Sequence, residues 1–463
     1  MFVVGQPMVK QAEVQVNVQA PNKRIARFRL YALLLAIDNL CILLTFGIIG
    51  ALLADSWRDL HFLKLVAMVL PIFLFGAFYG NVYSLATLKR PMAAAVQAAM
   101  LMFMTMLAVQ SVLFFADASA RVERLPFAAG MAICALLLAA VRPPFSRFAR
   151  RVTNGALTND ILIVDGVDIA PVEGVHTIDA VVNQLQPDLR DPYMLNRLGQ
   201  WLHNFDRVLI ACPPERRTDW RMLLQGANIQ GEILTPDSSL HGVLGVGQFG
   251  GRPTLVVSKG PLTMTNRLKK RLFDLALTAP ALVLLSPVML LIAIAIKLES
   301  PGPVFFLQHR VGRGNRLFKI MKFRSMRADQ TDHNGSVSAS RDDKRITRVG
   351  AIIRRTSIDE LPQLINVLKG DMSLVGPRPH ALGSTAGDML FWEVNQSYWC
   401  RHSLKPGITG LAQIRGFRGA TSHPRDLENR LQADLEYIRD WSFMREVVIL
   451  LGTLRVFVHK NAY

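Results

Sequence analysis

The sequence predicts a membrane protein of mixed α plus α/β class. It divides into four transmembrane helices, a small Rossmann-like α/β domain, and a mainly helical C-terminal domain with a re-entrant membrane helix. Three observations carry this. Of the 463 residues, 51% are hydrophobic and only 19% charged, against about 25% charged in a typical soluble chain. Four long apolar stretches follow one another in the first third of the chain. Short β-rich runs then alternate with helix-like ones, the pattern of a parallel α/β sheet. Disorder is excluded, because so apolar a chain buries a core. The four cysteines, Cys41, Cys134, Cys212 and Cys400, have no metal-ligand spacing. That excludes a disulfide framework or Cys-rich zinc site and fits a reducing compartment.

Residues 1–29 form a polar tail ending in Lys23, Arg24, Arg27 and Arg29. The apolar stretches 30–54, 64–87, 92–116 and 125–141 follow, each near the ~20 residues a spanning helix needs. No small-residue cleavage site follows the first, so it is expected to be an anchor. Basic residues flank the bundle at 23–29, at Lys89 and Arg90, and at Arg142, Arg147, Arg150 and Arg151. By the positive-inside rule both ends of the 30–141 bundle are cytoplasmic. Asp38 lies inside the first span and is expected to face other helices, not lipid.

Between 150 and 260 the strands are expected at Ile161–Val164, Arg207–Ala211, Gly231–Leu234 and Thr254–Val257, with helices at Tyr193–Phe205 and Glu215–Leu224. Gly245-Val246-Gly247-Gln248-Phe249-Gly250 has the letters of a dinucleotide fingerprint. The fingerprint works only between a strand and a helix, and here a Gly-rich loop runs into a strand. Nucleotide binding by this domain is not supported.

The segment 261–463 holds 30 Lys and Arg against 17 acids, so +13 of the net +18 resides there. Membrane and anionic-substrate readings fit that charge better than nucleic acid, because the segment opens with the apolar run Leu275–Ile296. As one straight helix this run reaches about 33 Å. Pro280 and Ser286-Pro287 interrupt it, and proline removes a backbone donor and kinks a helix. A re-entrant helix-break-helix over 275–297 is favoured, with Ser286 satisfying a carbonyl freed by the kink. A Pro-kinked true span is the alternative.

Asp359 and Glu360 follow Arg354 and Arg355. Ser357 and Glu360 have capping-box spacing, so one reading is that the acids simply start a helix. The neighbouring cations and a helix N-terminus equally favour an ionised carboxylate, a competent nucleophile toward phosphorus. Pro377-Arg378-Pro379 presents a stiffened guanidinium suited to phosphate. Lys405-Pro406-Gly407-Ile408-Thr409-Gly410 is a turn-rich loop carrying a cation, and Met321-Lys322-Phe323-Arg324-Ser325-Met326 is a basic strand. Polar 328–345 is either a lid or a surface loop. Arg439–Val458 is either an interfacial or a core helix.

These residues, with Lys270-Arg271-Leu272-Phe273-Asp274 and Pro301-Gly302-Pro303-Val304-Phe305-Phe306, stand in an order that resembles the bacterial sugar transferases, the monotopic polyprenyl-phosphate phosphoglycosyltransferases. The resemblance covers 265–463. The preceding segments look like the enlarged branch of undecaprenyl-phosphate glucose or galactose phosphotransferases. It implies that Asp359 attacks the β-phosphate of a UDP-sugar and releases UMP. Undecaprenyl phosphate then takes the sugar-phosphate from the aspartate. Glu360 would bind Mg²⁺, and Arg354 and Arg378 would lie near the phosphates. Lys322, Arg324 and Lys405 are expected to bind substrate, and Ser286-Pro287 to mark the re-entrant break. The sugar is expected to be glucose, with galactose as the alternative. The expected setting is the bacterial inner membrane and its lipids, with the catalytic domain on the cytoplasmic face, no nucleic acid, and a homodimer left open. Other readings are a non-catalytic membrane scaffold and a UDP-releasing glycosyltransferase. The chain has no D-x-D metal motif, which weakens the latter.

Overall fold

The computed structural model describes residues 23–53, 61–116, 124–169, 175–235, 242–327, 343, 345–417, 421 and 423–458. Residues 1–22 and nearly all of the polar segment 328–345 lie outside that set. Among the described residues, four helices are long and apolar enough to cross a membrane: Lys23–Leu52, Pro91–Phe115, Leu125–Val152 and Met264–Glu299. The chain is a membrane protein.

Helix α1 (Lys23–Leu53) starts earlier than expected, so the basic cluster of the supposed tail forms its first turns. Helix α2 (His61–Tyr79) corrects the expected span 64–87. It stops because Asn81 takes φ +53 and Val82 N–H donates back to the Ala77 carbonyl at 3.0 Å. That six-to-one bond and left-handed residue form a Schellman-type stop. A short helix α3 (Leu85–Lys89) then leads into α4 (Pro91–Phe115) and α5 (Arg124–Val152). The last runs past Pro143 and Pro144, well beyond the expected end at 141.

Asp38 does face other helices. Arg142 grips it in a two-point fork, Nη1 to Oδ1 and Nη2 to Oδ2 at 2.8 Å each, and Tyr83 donates to Oδ2 at 2.9 Å. Asp38 is 0% exposed and Arg142 2%. A charge at that depth is tolerable only because it is matched on every side.

The α/β unit contains β1 (Asp160–Val164), β2 (His176–Asp179), α6 (Pro192–Leu202), β3 (Arg207–Ala211), α7 (Arg217–Gly226), β4 (Gln230–Leu234), β5 (Gly245–Phe249) and β6 (Arg252–Ser258). Sheet order is β2-β1-β3-β4-β6-β5. The first four strands are parallel, while β6 and β5 are antiparallel, so the sheet is mixed. The glycine-rich motif is itself strand β5. Its end, Gly250-Gly251, has φ +54 and +78 and closes a two-residue hairpin onto β6, the conformation a type I′ turn requires. No helix follows, so the fingerprint reading has no structural basis.

Helix α8 (Met264–Glu299) is continuous through Pro280 and Pro287. The expected break is therefore not a gap in the helix. Ser286 Oγ donates to the Val283 carbonyl at 2.8 Å, the acceptor that Pro287, lacking an N–H, leaves unsatisfied. Beyond it come the hairpin β7 (Phe305–Val311) and β8 (Leu317–Phe323), α9 (Arg348–Arg355), α10 (Gln363–Lys369) and β9 (Ser373–Val375). Then follow the small pair β10 (Thr385–Ala386) and β11 (Met389–Leu390), α11 (Phe391–Val394), β12 (Gly407–Thr409), α12 (Leu411–Ile414), α13 (Pro424–Arg439) and α14 (Phe443–Val458). The helix expected over 439–458 is α14, which begins at Phe443 after α13 has ended at Arg439. Ile449 of α14 is buried at 1% beside Tyr437, while Met444, Val448 and Leu451 on its other side stay exposed.

The α/β unit and the C-terminal unit share one core. Val311, Phe391, Tyr398 and Trp399 belong to the same buried cluster as Ile210, Leu198 and Trp220. Two glycines permit the approach. A Cβ on Gly199 would strike the Gly314 carbonyl, and one on Gly226 would meet the Asn315 side chain and the Trp399 carbonyl.

Arg142→Leu should leave Asp38 buried and uncompensated, with a loss of about 3–5 kcal/mol. The double variant Asp38→Leu/Arg142→Leu should recover part of it. Unfolding in lipid nanodiscs checks this, and a double variant no more stable than Arg142→Leu would count against the ion pair.

Candidate active site

The site is built on α8. Its first half carries three buried or half-buried anchors within little more than one turn. Lys270 Nζ donates to the Val375 carbonyl at 2.9 Å and to Glu446 at 2.6 Å. Arg271 donates to the carbonyls of Val367 and Leu368 at 2.6 and 2.7 Å. Asp274 Oδ1 accepts from Ser373 Oγ and Leu374 N–H at 2.9 and 3.0 Å. Lys270, Arg271 and Asp274 thus fix α10 and β9, the elements that lead into the Gly376–Arg378 turn.

Parallel pairing of β12 with β9 then lays the Lys405 loop against Gly376-Pro377. Gly376, Gly407 and Gly410 meet backbone to backbone, where any Cβ would collide. Gly376 N–H donates to Thr409 O at 2.8 Å and Gly407 N–H to Pro377 O at 3.0 Å. This brace fixes the Pro-Arg-Pro turn. Arg401, 1% exposed, holds it from behind by donating to the Arg378 carbonyl at 2.8 Å while paired with Asp434 at 2.6 Å.

Three elements converge on Glu360. Lys322 Nζ, from β8, donates to Oε1 at 2.9 Å. Arg378 Nη2 donates to the same oxygen at 2.7 Å, and its Nη1 reaches Oε2 at 3.5 Å. Asn366 of α10 clamps β8 beside Lys322, accepting from Met321 N–H at 2.9 Å and donating to the Lys319 carbonyl at 2.8 Å. Asp359 and Glu360 ride a 3-10 turn, Ile358–Glu360, not the first turn of an α-helix. The capping-box reading is corrected: Ser357 makes no side-chain cap and takes φ +55. A left-handed serine is an uncommon, strained conformation, and it sharpens the turn that presents both acids. Ile358 and Leu361 seat that turn on Met289 and Ile296 of α8.

The two acids differ electrostatically. Burial disfavours the charged form of both. At Glu360, Arg378 and Lys322 overcome it and hold the carboxyl well below its ordinary value. At Asp359 burial prevails, aided by the adjacent Glu360 charge, and the carboxyl lies above its ordinary value despite Lys322, Arg354 and Arg378. Asp359 is thus the more basic of the pair, a difference that separates a reactive carboxylate from a charge-holding one.

The structure brings together Asp359, Glu360, Lys322 and Arg378, with Arg354 near enough to act on Asp359. It does not bring Arg324 there. That side chain, 4% exposed, donates to the carbonyls of Ser300 and Pro301 at 2.7 and 2.6 Å and ties down the end of α8. Lys405 also lies apart, near Arg271 and Gly370, where burial and then Arg313 and Arg271 push its amine down to about 8. Arg310 was missed by sequence reasoning. It comes from β7 to the Glu360–Arg378 pair, where burial and then Arg378 push its guanidinium down to about 10. Nothing in the sequence distinguishes it from other strand arginines. Among the described residues no cluster of three or more His, Cys, Asp and Glu has metal-holding geometry.

The chain is similar to known proteins. The family model for bacterial sugar transferases matches residues 265–460. The undecaprenyl-phosphate glucose phosphotransferase of Komagataeibacter xylinus is 44% identical over 269 residues, 56% of this chain and 50% of that protein. The exopolysaccharide production protein PSS of Rhizobium leguminosarum bv. phaseoli is 49% identical over 185 residues, 40% of this chain and 92% of that protein. The UDP-glucose:undecaprenyl-phosphate glucose-1-phosphate transferase of Escherichia coli (strain K12) is 44% identical over 234 residues, half of each chain. The chain spans about half the length of the first and last of these relatives. With the family model matching the C-terminal part and a match covering nearly the whole of a relative, the chain belongs to the bacterial sugar transferase family.

Proposed function

We propose that this protein transfers a hexose-1-phosphate, glucose-1-phosphate in the first instance, from a UDP-sugar to undecaprenyl phosphate and so initiates synthesis of a surface polysaccharide. The observation that carries the reading is the Asp359–Glu360 turn, with one desolvated carboxylate beside another held by Lys322 and Arg378. Asp359 attacks the β-phosphorus. An oxygen–phosphorus bond forms, the bond to the bridging oxygen breaks, and UMP leaves with the electron pair. A phosphate oxygen of undecaprenyl phosphate then attacks the aspartyl sugar-phosphate and frees the carboxylate. Lys322, Arg378 and Arg310 offset the charge that gathers on the phosphates as the bond breaks.

Mg²⁺ suits the donor set. Magnesium takes one or two carboxylates together with substrate phosphates and waters. Glu360 Oε2, only loosely engaged by Arg378 at 3.5 Å, and the adjacent Asp359 are the residues to hold it. When bound it would withdraw charge from the departing phosphate.

The acceptor is a lipid, and α8 supports access to it. Val283 and Leu284 are 76% and 79% exposed, and Leu291 and Leu298 continue that apolar surface. Yet both ends of the helix are fastened to the same folded unit, through Arg271 at one end and Arg324 at the other. A membrane crossing would put those ends on opposite sides of a core about 30 Å thick. A helix that enters and leaves one leaflet satisfies both facts, and the dyad turn seated on Met289 and Ile296 then lies at phosphate depth. The basic flanks of the bundle support the cytoplasmic face of a bacterial inner membrane. The four parallel strands of the sheet, β2-β1-β3-β4, support the Rossmann-like description as shape alone.

Purified protein in nanodiscs, given UDP-glucose, undecaprenyl phosphate and Mg²⁺, should release UMP, and chelation should stop it. Asp359→Asn should abolish both turnover and sugar-phosphate labelling of the protein. UDP as the product, or undiminished labelling of the variant, would overturn the mechanism. UDP-galactose is the next donor to test should UDP-glucose fail.

The acid limb of kcat/KM should sit above the pH expected of an ordinary aspartate, because Asp359 loses its charge as pH falls through a raised pKa. Arg354→Gln removes a cation that favours the anion and should move that limb to higher pH. An unmoved limb would remove Arg354 from the site.

A cysteine at Ser300, just after α8, should escape an impermeant thiol reagent added outside intact cells. Labelling there would establish a crossing helix.

A further inference from the structure

A second basic centre lies at the tip of the β7–β8 hairpin. It forms a small, half-open cleft lined by Arg24, Gly199, His203, Asn228, Arg313 and Arg316 among others. The cleft stands where three parts of the chain meet: the first turn of α1, the α6 and α7–β4 face of the α/β unit, and the hairpin tip. It is distinct from the Glu360 cluster. Lys322 is five residues along β8 from Leu317, roughly 17 Å at the rise of an extended strand.

The charges here are not balanced. Arg24 spends part of its guanidinium on the Phe205 carbonyl at 2.6 Å and Asp206 at 3.2 Å, while Arg27 takes Asp206 in a two-point fork at 2.7 Å. Arg267 donates to Asn228 Oδ1 at 3.2 Å and to the Leu262 carbonyl at 3.0 Å. Arg313 has no carboxylate within ion-pair distance among the described residues. Burial, then Arg267, Arg316 and Arg24, push its guanidinium down to about 9. His203 is pushed below its ordinary value by burial and then Arg316. Holding like cations together in a poorly solvated cleft is unfavourable unless an anion joins them.

The hairpin is nevertheless locked into this position. Leu317 N–H donates to Asn196 Oδ1 at 2.8 Å, and Asn315 Oδ1 meets His402 Nδ1 at 3.0 Å. The glycines at 199 and 226 omit Cβ atoms that would hold the tip away. The geometry therefore builds a concave, cation-lined seat and keeps it open. We propose that this cleft binds a phosphate group and that the bound phosphate clamps the α/β unit and α1 onto the hairpin. Guanidinium forks match phosphate oxygens in geometry as well as charge. Two sources share that chemistry. One is a free phosphate or pyrophosphate anion. The other is an anionic lipid headgroup, because α1 reaches its apolar stretch at Leu30, only about 9 Å along the helix from Arg24.

Thermal unfolding of the full chain in nanodiscs separates the outcomes, with inorganic pyrophosphate as the soluble probe. In zwitterionic bilayers the wild-type protein should be stabilised saturably. Arg313→Gln and Arg316→Gln should each weaken half-saturation at least tenfold, while Arg378→Gln, in the other cluster, should keep the response. If lipid is the source, phosphatidylglycerol bilayers should raise the wild-type transition in advance and leave pyrophosphate little to add, and Arg313→Gln should not distinguish the two bilayers. Without any anion, Arg313→Gln should be at least as stable as wild type, since it relieves crowding; this also guards against a folding defect. Unchanged half-saturation in both hairpin variants, loss of the response in Arg378→Gln alone, or no response of the wild type in either bilayer would overturn the proposal.

Discussion

One carboxylate oxygen of Glu360 accepts from a lysine and an arginine carried on different elements. Each of the three groups loses hydration in coming together, and that loss is recovered only if the distances hold. Much of the C-terminal unit is arranged to hold them. Asn366 fixes the strand of Lys322, Arg401 and the glycine brace fix the turn of Arg378, and the strained Ser357 fixes the turn of Glu360. Tying the glutamate's charge down in this way leaves its neighbour as the carboxylate that burial makes more basic.

Helix α8 works in two media. Lys270 and Asp274 are buried with every partner supplied by protein, whereas Val283, Leu284 and Leu291 show bare hydrocarbon. Proline is tolerable at position 287 because Ser286 takes up the carbonyl it frees. The same side-chain repair keeps a helix intact where lipid offers no hydrogen bond.

The sequence reveals most about features whose cause is local. Arg207–Ala211 forms a strand over those five residues because its apolar run is bounded by turn formers. Asp38 is buried against polar partners because a lone acid in an apolar stretch has nowhere else to go. Features set by tertiary contact stay hidden. Lys322 and Arg324 look alike as neighbours on a basic strand, yet one reaches Glu360 and the other the end of α8. Arg310, Asn366 and Arg401 carry no local signature, since the groups they act on at the site lie more than 20 residues away along the chain. The second apolar stretch overran its helix because hydropathy does not register the left-handed turn at Asn81.

The shared core between the α/β unit and the C-terminal unit bears on what the chain can be cut into. The linker between β6 and α8 resembles a domain boundary in sequence. Cleavage there would strip cover from Trp399, Tyr398 and Phe391, rings now at 1–4% exposure, and leave an aromatic face in water. Modularity along the chain is thus not modularity in free energy. A chain lacking the first half would need other side chains over that aromatic face.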